Sequence, residues 1–245
     1  MSISKSKILS SFSNIVHGIS TRYPGEPPFF NNLSKHVGDD ADTISKNRER
    51  FFDSLGISQS QLVHANQVHG DNIQHVRKPG LYPATDAFIT NSPDLFLVIS
   101  VADCMPVMMF DPVNNAIANI HSGWRGTQKN IAGKAVKLMK EKFSTDPAEL
   151  VVYMGPAISQ KNFEVDEDVA SLFPGEYVIP KPGTGGKFLV DTGKMVFNSL
   201  METGIKETNI ERCGICTFDE NKMHSYRRDK DLSGRMFAVL GIKKA

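Results

Sequence analysis

The apolar positions fall into runs of two kinds. In residues 42–55, Ile44, Phe51, Phe52 and Leu55 share one helical face, with Asp42 able to cap the start and Gly56 to end it. Residues 127–143 carry Ile131, Ala135, Leu138, Met139 and Phe143 at helical spacing, with Thr127 as the expected cap and Pro147 beyond the end. A third helix is expected over 191–203, stopped by Gly204. Strand-like runs lie at 61–76, at 95–121 with an interruption at Asp111-Pro112, and at 150–155. Residues 210–242 read as short strands around an exposed charged loop at 227–231. Residues 19–40 and 180–187, rich in turn formers, are expected to be loop. No repeat, low-complexity tract or shift in composition divides the chain, so residues 1–245 are expected to form a single domain.

Composition removes several classes of function. The 28 Lys and Arg are balanced by 27 Asp and Glu, leaving a net charge of +1, which argues against a basic face for nucleic acid. Apolar residues at 40% and charged residues at 22% are ordinary for a globular chain. Three cysteines, Cys104, Cys213 and Cys216, fit a reducing compartment without a disulfide framework. The first 18 residues lack the apolar core of a signal peptide. The longest apolar stretch, 95–102, falls far short of the roughly 20 residues of a membrane span. A cytoplasmic, soluble protein with no membrane or nucleic-acid partner is expected.

The candidate chemistry centres on His69, Cys104 and His121. If Asp111-Pro112-Val113-Asn114 forms a turn, Phe110 faces Asn115, and counting back sets Cys104 directly opposite His121. Opposed side chains share a face and can ligate one metal; a slip of one residue would separate them. His69, followed by Gly70, can supply a third ligand, and on spacing alone His64 is equally available. Two imidazoles and a thiolate leave one tetrahedral position open, as in catalytic zinc sites. Spacing alone favours the plainer reading, a small buried cysteine and two histidines with ordinary partners. Downstream, His121-Ser122-Gly123-Trp124-Arg125-Gly126-Thr127 leads into the expected helix, where free N–H groups and Arg125 can meet an anion. Other motifs fail. Cys213-Gly-Ile-Cys216 has no second pair and sits in strand-like sequence, so both cysteines are expected to be structural. Residues 182–187 lack phosphate-loop spacing. No histidine is followed at +2 by Glu, so the nucleobase-deaminase signature is missing.

The segments Asn32-Leu33-Ser34, His36-Val37-Gly38-Asp39-Asp40, Asn47-Arg48, Gln67-Val68-His69-Gly70, Asp86-Ala87, Ala102-Asp103-Cys104-Met105-Pro106-Val107, His121-Ser122-Gly123-Trp124-Arg125-Gly126, Gly155-Pro156-Ala157-Ile158, Phe163-Glu164-Val165 and Ser225-Tyr226-Arg227-Arg228 together resemble the YfiH-like, laccase-domain family over about residues 15–242. The resemblance implies an α+β fold, a single layered domain of mixed β-sheets packed against outer helices. It implies a zinc site of His69, Cys104 and His121, which would also be the catalytic residues. It further implies a cytosolic purine nucleoside phosphorylase acting on adenosine, inosine and methylthioadenosine, with adenosine deaminase activity. Arg48 and Arg125 are expected at phosphate or ribose, Asn32 is expected to contact substrate, and Asp103 to orient a ligand imidazole. His224 stands where an aromatic is expected. Two alternatives share the same site: a zinc amidase editing cell-wall precursors, and a copper-dependent polyphenol oxidase. Seven histidines without an HxH pair are too few for a multicopper set, although copper can occupy one Cys/His site in vitro.

Overall fold

The computed structural model describes residues 3–244. Two six-stranded mixed sheets stack face to face. The first runs β1 (Ile3–Ser4), β2 (Ile15–Ser20), β15 (Met236–Ile242), β7 (Phe96–Val101), β3 (Leu62–Ala65) and β5 (Gly80–Tyr82). The second runs β14 (Ile210–Arg212), β10 (Val151–Met154), β8 (Met105–Asp111), β9 (Ala116–Ser122), β6 (Ala87–Thr90) and β4 (Ile73–His75). A small third sheet, β11 (Glu164–Asp166), β13 (Lys187–Val190) and β12 (Val178–Pro180), sits beside α5 (Glu167–Ala170).

The period-two alternation of strand side chains assigns the layers. Met108 and Phe110 of β8 face Leu97, Ile99, Ala238 and Leu240 of the first sheet and form the core between the sheets. Val107, Met109, Ala118 and Ile120 point the other way, onto α4 (Ile131–Phe143) and α6 (Thr192–Glu202). Phe96, Val98, Phe237 and Val239 cover the outer face of the first sheet with Phe51 and Phe52 of α2 (Ala41–Ser54). The order is helix, sheet, sheet, helices, an α+β architecture. Asn119, buried on the inter-sheet face of β9, donates from Nδ2 to the carbonyls of Leu97 (2.8 Å) and Ala238 (2.9 Å) and ties the two sheets together.

Local details depart from expectation for identifiable reasons. Helix α2 is capped by Asp40, whose side chain accepts from the Thr43 N–H, rather than by Asp42. The 127–143 helix is two helices. Short α3 (Trp124–Gln128) stops before Asn130, which adopts a left-handed conformation (φ 58°) and caps α4 through the Gly133 N–H. Thr127 instead pairs its hydroxyl with that of Ser122 at 2.8 Å. The β8–β9 register also differs: Asp111 pairs with Ala116, so Pro106, not Cys104, lies opposite His121. The cause is the Asp111 carboxylate, which accepts from the N–H groups of Val113 and Asn114 and caps the turn from within the ladder. The error is two residues, so the face is preserved and Cys104 remains on the inter-sheet side with His121. Residues 227–231 are not a purely solvated loop. α7 (Tyr226–Asp229) occupies most of them, and the Arg228 guanidinium is half-buried among backbone carbonyls.

Candidate metal centre

The centre forms where the paired sheets end. β3 stops at Ala65, but the Gln67 side chain continues its pairing with β7: Oε1 accepts from the Ser100 N–H (2.6 Å) and Nε2 donates to the Ser100 carbonyl (2.9 Å). The chain then turns, with His69 in the left-handed region at φ 57°. Asp86, fully buried at the mouth of β6, gathers this turn. Its carboxylate accepts from the N–H groups of Val68 (3.3 Å), His69 (3.0 Å) and Gly70 (2.7 Å). The same carboxylate lies 2.8 Å from His121 Nδ1. A carboxylate can only accept, so Nδ1 donates to Asp86 and Nε2 is the nitrogen that faces the cluster, where a metal would displace its proton. Burial opposes ionisation of Asp86, but the His121 imidazole and these backbone N–H groups together hold its carboxyl below the usual range.

The ligand atoms of His69, Cys104 and His121 all lie within 4.8 Å of one another, and the two imidazole rings meet edge to face at 4.8 Å between centroids. His69 is exposed, Cys104 half-buried and His121 buried, so the cluster opens on one side. Gly123 presses on it: a Cβ there would stand 3.2 Å from Cys104 Sγ, 3.3 Å from His69 Cδ2 and 3.5 Å from His121 Cε1. Burial works against charge at Cys104 and at His121, yet each favours the charged form of the other, so the thiol is pushed down and the imidazolium up. Asp86 adds to the upward push on His121. A divalent cation would take the place of the shared protons. Donor set, spacing and open side all fit a tetrahedral zinc or a single copper. Among the described residues this is the single group of three or more His, Cys, Asp or Glu that comes together in this way.

The other expected site residues divide. Arg125 is exposed on the wall of a cleft of about 840 Å³ that contains all three candidate ligands. Its guanidinium stacks 4.1 Å from the Trp124 ring centroid. Arg48 and Asn32 are not on that wall. Arg48 donates from Nε to the Leu33 carbonyl (2.7 Å) and lies over the Phe237 ring. Asn32 is fully buried; its amide bonds the Ser34 carbonyl, Asp39 and the N–H groups of Ser34 and Arg235. Asp103 does not reach an imidazole: its carboxylate accepts from the Thr217 hydroxyl and the Arg227 N–H, each at 2.6 Å. The orienting role expected of Asp103 is taken by Asp86 for His121. His64 sits away from the cluster against Phe52 and Phe237, where burial lowers its pKa to about 4. Nothing local in the sequence gives Asp86 a role. The residues that meet its carboxylate lie 16–35 positions away, and no local pattern joins them. Arg227 and Arg235 also line the cleft, with Phe163 and Tyr226.

A Cys/His/His cluster at the open end of two stacked mixed sheets defines a layered α+β protein with a candidate metal-dependent active site. The chain belongs to the multi-copper polyphenol oxidoreductase laccase family, whose family model matches residues 16–243. It is 32% identical over 250 residues to the purine nucleoside phosphorylase YlmD of Bacillus subtilis, covering 94% of this chain and 90% of that one. The crystal structure of YlmD from Geobacillus stearothermophilus superposes with a TM-score of 0.89 at 29% identity, over 98% of this chain and 94% of that one. The hypothetical protein YfiH of Bacillus licheniformis gives 0.88 at 30% identity, over 94% and 93%. No helix among the described residues is long and apolar enough to cross a membrane.

Proposed function

We propose that this chain is a cytoplasmic, zinc-dependent purine nucleoside phosphorylase with adenosine deaminase activity, residues 1–245 working as one domain. The observation that carries this reading is the end-to-end similarity to proteins named purine nucleoside phosphorylase, together with the Cys/His/His cluster inside a cleft of nucleoside size. His69, Cys104 and His121 would hold the metal. When bound, zinc supplies Lewis-acid polarisation of whatever group is presented at its open side.

The chain's own residues supply the rest. Trp124, Phe163 and Tyr226 line the cleft wall, each with a guanidinium over one face (Arg125, Arg227 and Arg235 respectively), and give a purine apolar edges to pack against. Arg125 offers an uncommitted cation for phosphate. In phosphorolysis the C1′–N9 bond breaks and its electron pair leaves on the purine. A phosphate oxygen forms the new bond to C1′, and the phosphate proton ends on the purine nitrogen. In deamination a water oxygen bonds to C6 of adenosine, the C6–N bond breaks, and ammonia and inosine result. Asp86 holds His121 in one tautomer throughout, so the cluster does not reorganise as charge develops.

The test is metal analysis of the purified chain combined with product identification. Zinc near one per chain and ribose 1-phosphate formed only when phosphate is present are expected. Free ribose at the same rate without phosphate would make the protein a hydrolase. Turnover of a muramyl-peptide amide but not of nucleosides would favour the amidase, and phenol oxidation that requires copper would favour the oxidase.

A further inference from the structure

Five arginines could serve an anion in this fold, and their hydrogen bonds sort them. Arg48 is off the cleft, as described above. Arg228 spends its fork internally, on the carbonyls of Thr217 (2.9 Å), Phe218 (3.1 Å) and Met223 (2.7 Å) and on Asp229. Arg227, its neighbour in sequence, lines the cleft and commits one nitrogen, Nη1, to the Glu164 carbonyl at 2.7 Å. Arg235 lines it too and commits Nη1 to the carbonyls of Ser233 (2.6 Å) and Gly234 (3.1 Å). Both therefore keep Nε–H and Nη2 donors while one edge of the guanidinium is fixed. Arg125, stacked on Trp124, donates to no protein group among the described residues.

Charge balance points the same way. Asp103 is the one carboxylate on the cleft wall, and Thr217 and the Arg227 backbone already occupy it. Three guanidinium groups thus face a cleft with no free counter-charge. Two of them are held in place before any ligand arrives, which lowers the ordering cost of binding. Forked donors of this kind match the paired oxygens of a phosphate better than a single ammonium does.

We propose that Arg125, Arg227 and Arg235 form the subsite for inorganic phosphate, with Arg227 and Arg235 as its preformed part and Arg125 as its adaptable part. Asp103 is a positioning residue: it sits beside Cys104 and pins the backbone of Arg227, joining the anion wall to the metal centre. The assignment rests on the phosphorylase reading for the role of the anion and on the hydrogen bonds above for its place.

Two measurements on the full metal-loaded chain separate these layers: equilibrium binding of inorganic phosphate by calorimetry, and steady-state phosphorolysis of inosine. Arg125→Gln, which breaks no protein hydrogen bond, should weaken phosphate binding and raise the phosphate KM at least about tenfold, with the inosine KM within about threefold. Arg227→Lys and Arg235→Lys, which keep the charge and lose the fork, should each raise the phosphate KM severalfold. Arg48→Lys should shift it less than twofold. Unchanged phosphate affinity in all three cleft variants, or a larger effect from Arg48, would overturn the subsite while leaving phosphorolysis standing. Arginine-dependent phosphate binding without any phosphate-dependent cleavage would support the subsite and sink the phosphorylase reading. Tight binding of adenosine 5′-monophosphate with none of inorganic phosphate would reassign the arginines to a nucleotide.

Discussion

The cleft has two walls that are built by different physics. One is the end of the β8–β9 hairpin, where His121 is held by a continuous antiparallel ladder and Cys104 directly precedes β8. The other is residues 217–235, where little regular structure exists and single side chains do the work of a ladder. There the Arg228 fork collects four backbone carbonyls and Asp103 reaches across 114 positions to Thr217. A ladder distributes its holding energy over many bonds, so losing one side chain costs function before it costs structure. A wall knotted by one guanidinium concentrates that energy, so one substitution should cost structure first.

The hairpin wall is broken most severely at its ligands. Cys104→Ala or His121→Ala should lower metal content several-fold and nucleoside turnover by more than about a hundredfold. The metal-free chain should melt nearly as the parent does for Cys104→Ala, but lower for His121→Ala, which leaves the buried Asp86 carboxylate without its imidazole. Cys104→Ser should behave likewise, because an alcohol is a poor ligand at neutral pH. Undiminished metal in either alanine variant, measured by elemental analysis, would remove the centre from this site. Asp86→Asn comes next. An amide can present its NH2 to His121 Nδ1 and flip the tautomer, and it loses a negative charge beneath three backbone N–H groups. Metal affinity should fall about 10–100-fold in a chelator competition.

The opposite wall is tested at its knot. Arg228→Lys leaves several half-buried carbonyls without donors and should cost about 2–3 kcal/mol in urea unfolding of the metal-free chain. The metal content of the folded fraction should stay within about twofold of the parent. Joint loss of metal and stability would show that the two walls are one unit.

What could be read from the sequence follows the same division. The hairpin was legible because a strand run and its break are local signals: the apolar run over 95–121 is interrupted at Asp111-Pro112, where the turn lies. Its register came out two residues off because Asp111 was given to the turn, whereas its side chain serves the turn while its backbone stays in the ladder. Even parity saved the face. The helix over 127–143 was found and its start was missed, because a left-handed Asn130 leaves no mark in an apolar pattern. The roles of Asp86, Arg227 and Arg235 were illegible, since each depends on partners brought together by the sheets. Reading 227–231 as a solvated charge run fails for that reason at Arg227 and Arg228, which donate to backbone carbonyls invisible in sequence, while Lys230 and Asp231 are exposed as expected.

The second wall should also be the acid-sensitive one. His224 is buried there, and burial lowers its pKa to about 3 against an ordinary 6.5. The unfolded chain therefore takes up a proton as pH falls below 6.5 while the folded chain does not. Stability is fully present above pH 6.5 and is lost progressively as pH falls toward 3. His224→Phe removes the titrating group at a position where the family resemblance implies an aromatic. Between pH 7 and 4.5 the metal-free variant should lose about 2–3 kcal/mol less than the parent in urea unfolding. Equal losses would place the acid sensitivity at buried His17 or half-buried His64, both lowered to about 4 by burial.

The smallest effect is expected at Cys213 and Cys216, where the two walls make no competing claim. Neither thiol joins the metal cluster. Cys213 packs beside the inter-sheet core, where burial pushes its thiol up, and Cys216 Sγ accepts from the Ser159 N–H at 3.4 Å and Asn162 Nδ2 at 3.3 Å. A serine hydroxyl can take over the acceptor role at 216, at shorter reach, so Cys216→Ser should be nearly neutral. At 213 Sγ also accepts, from the Ile215 N–H at 3.4 Å, but it packs against the inter-sheet core, and the shorter, more polar hydroxyl there should cost about 1–3 kcal/mol. The double variant should therefore retain metal and turnover within a few-fold of the parent, its stability loss arising almost wholly at position 213. If it loses its metal while Cys104→Ser keeps it, the CxxC is the metal site and the hairpin wall is only a scaffold.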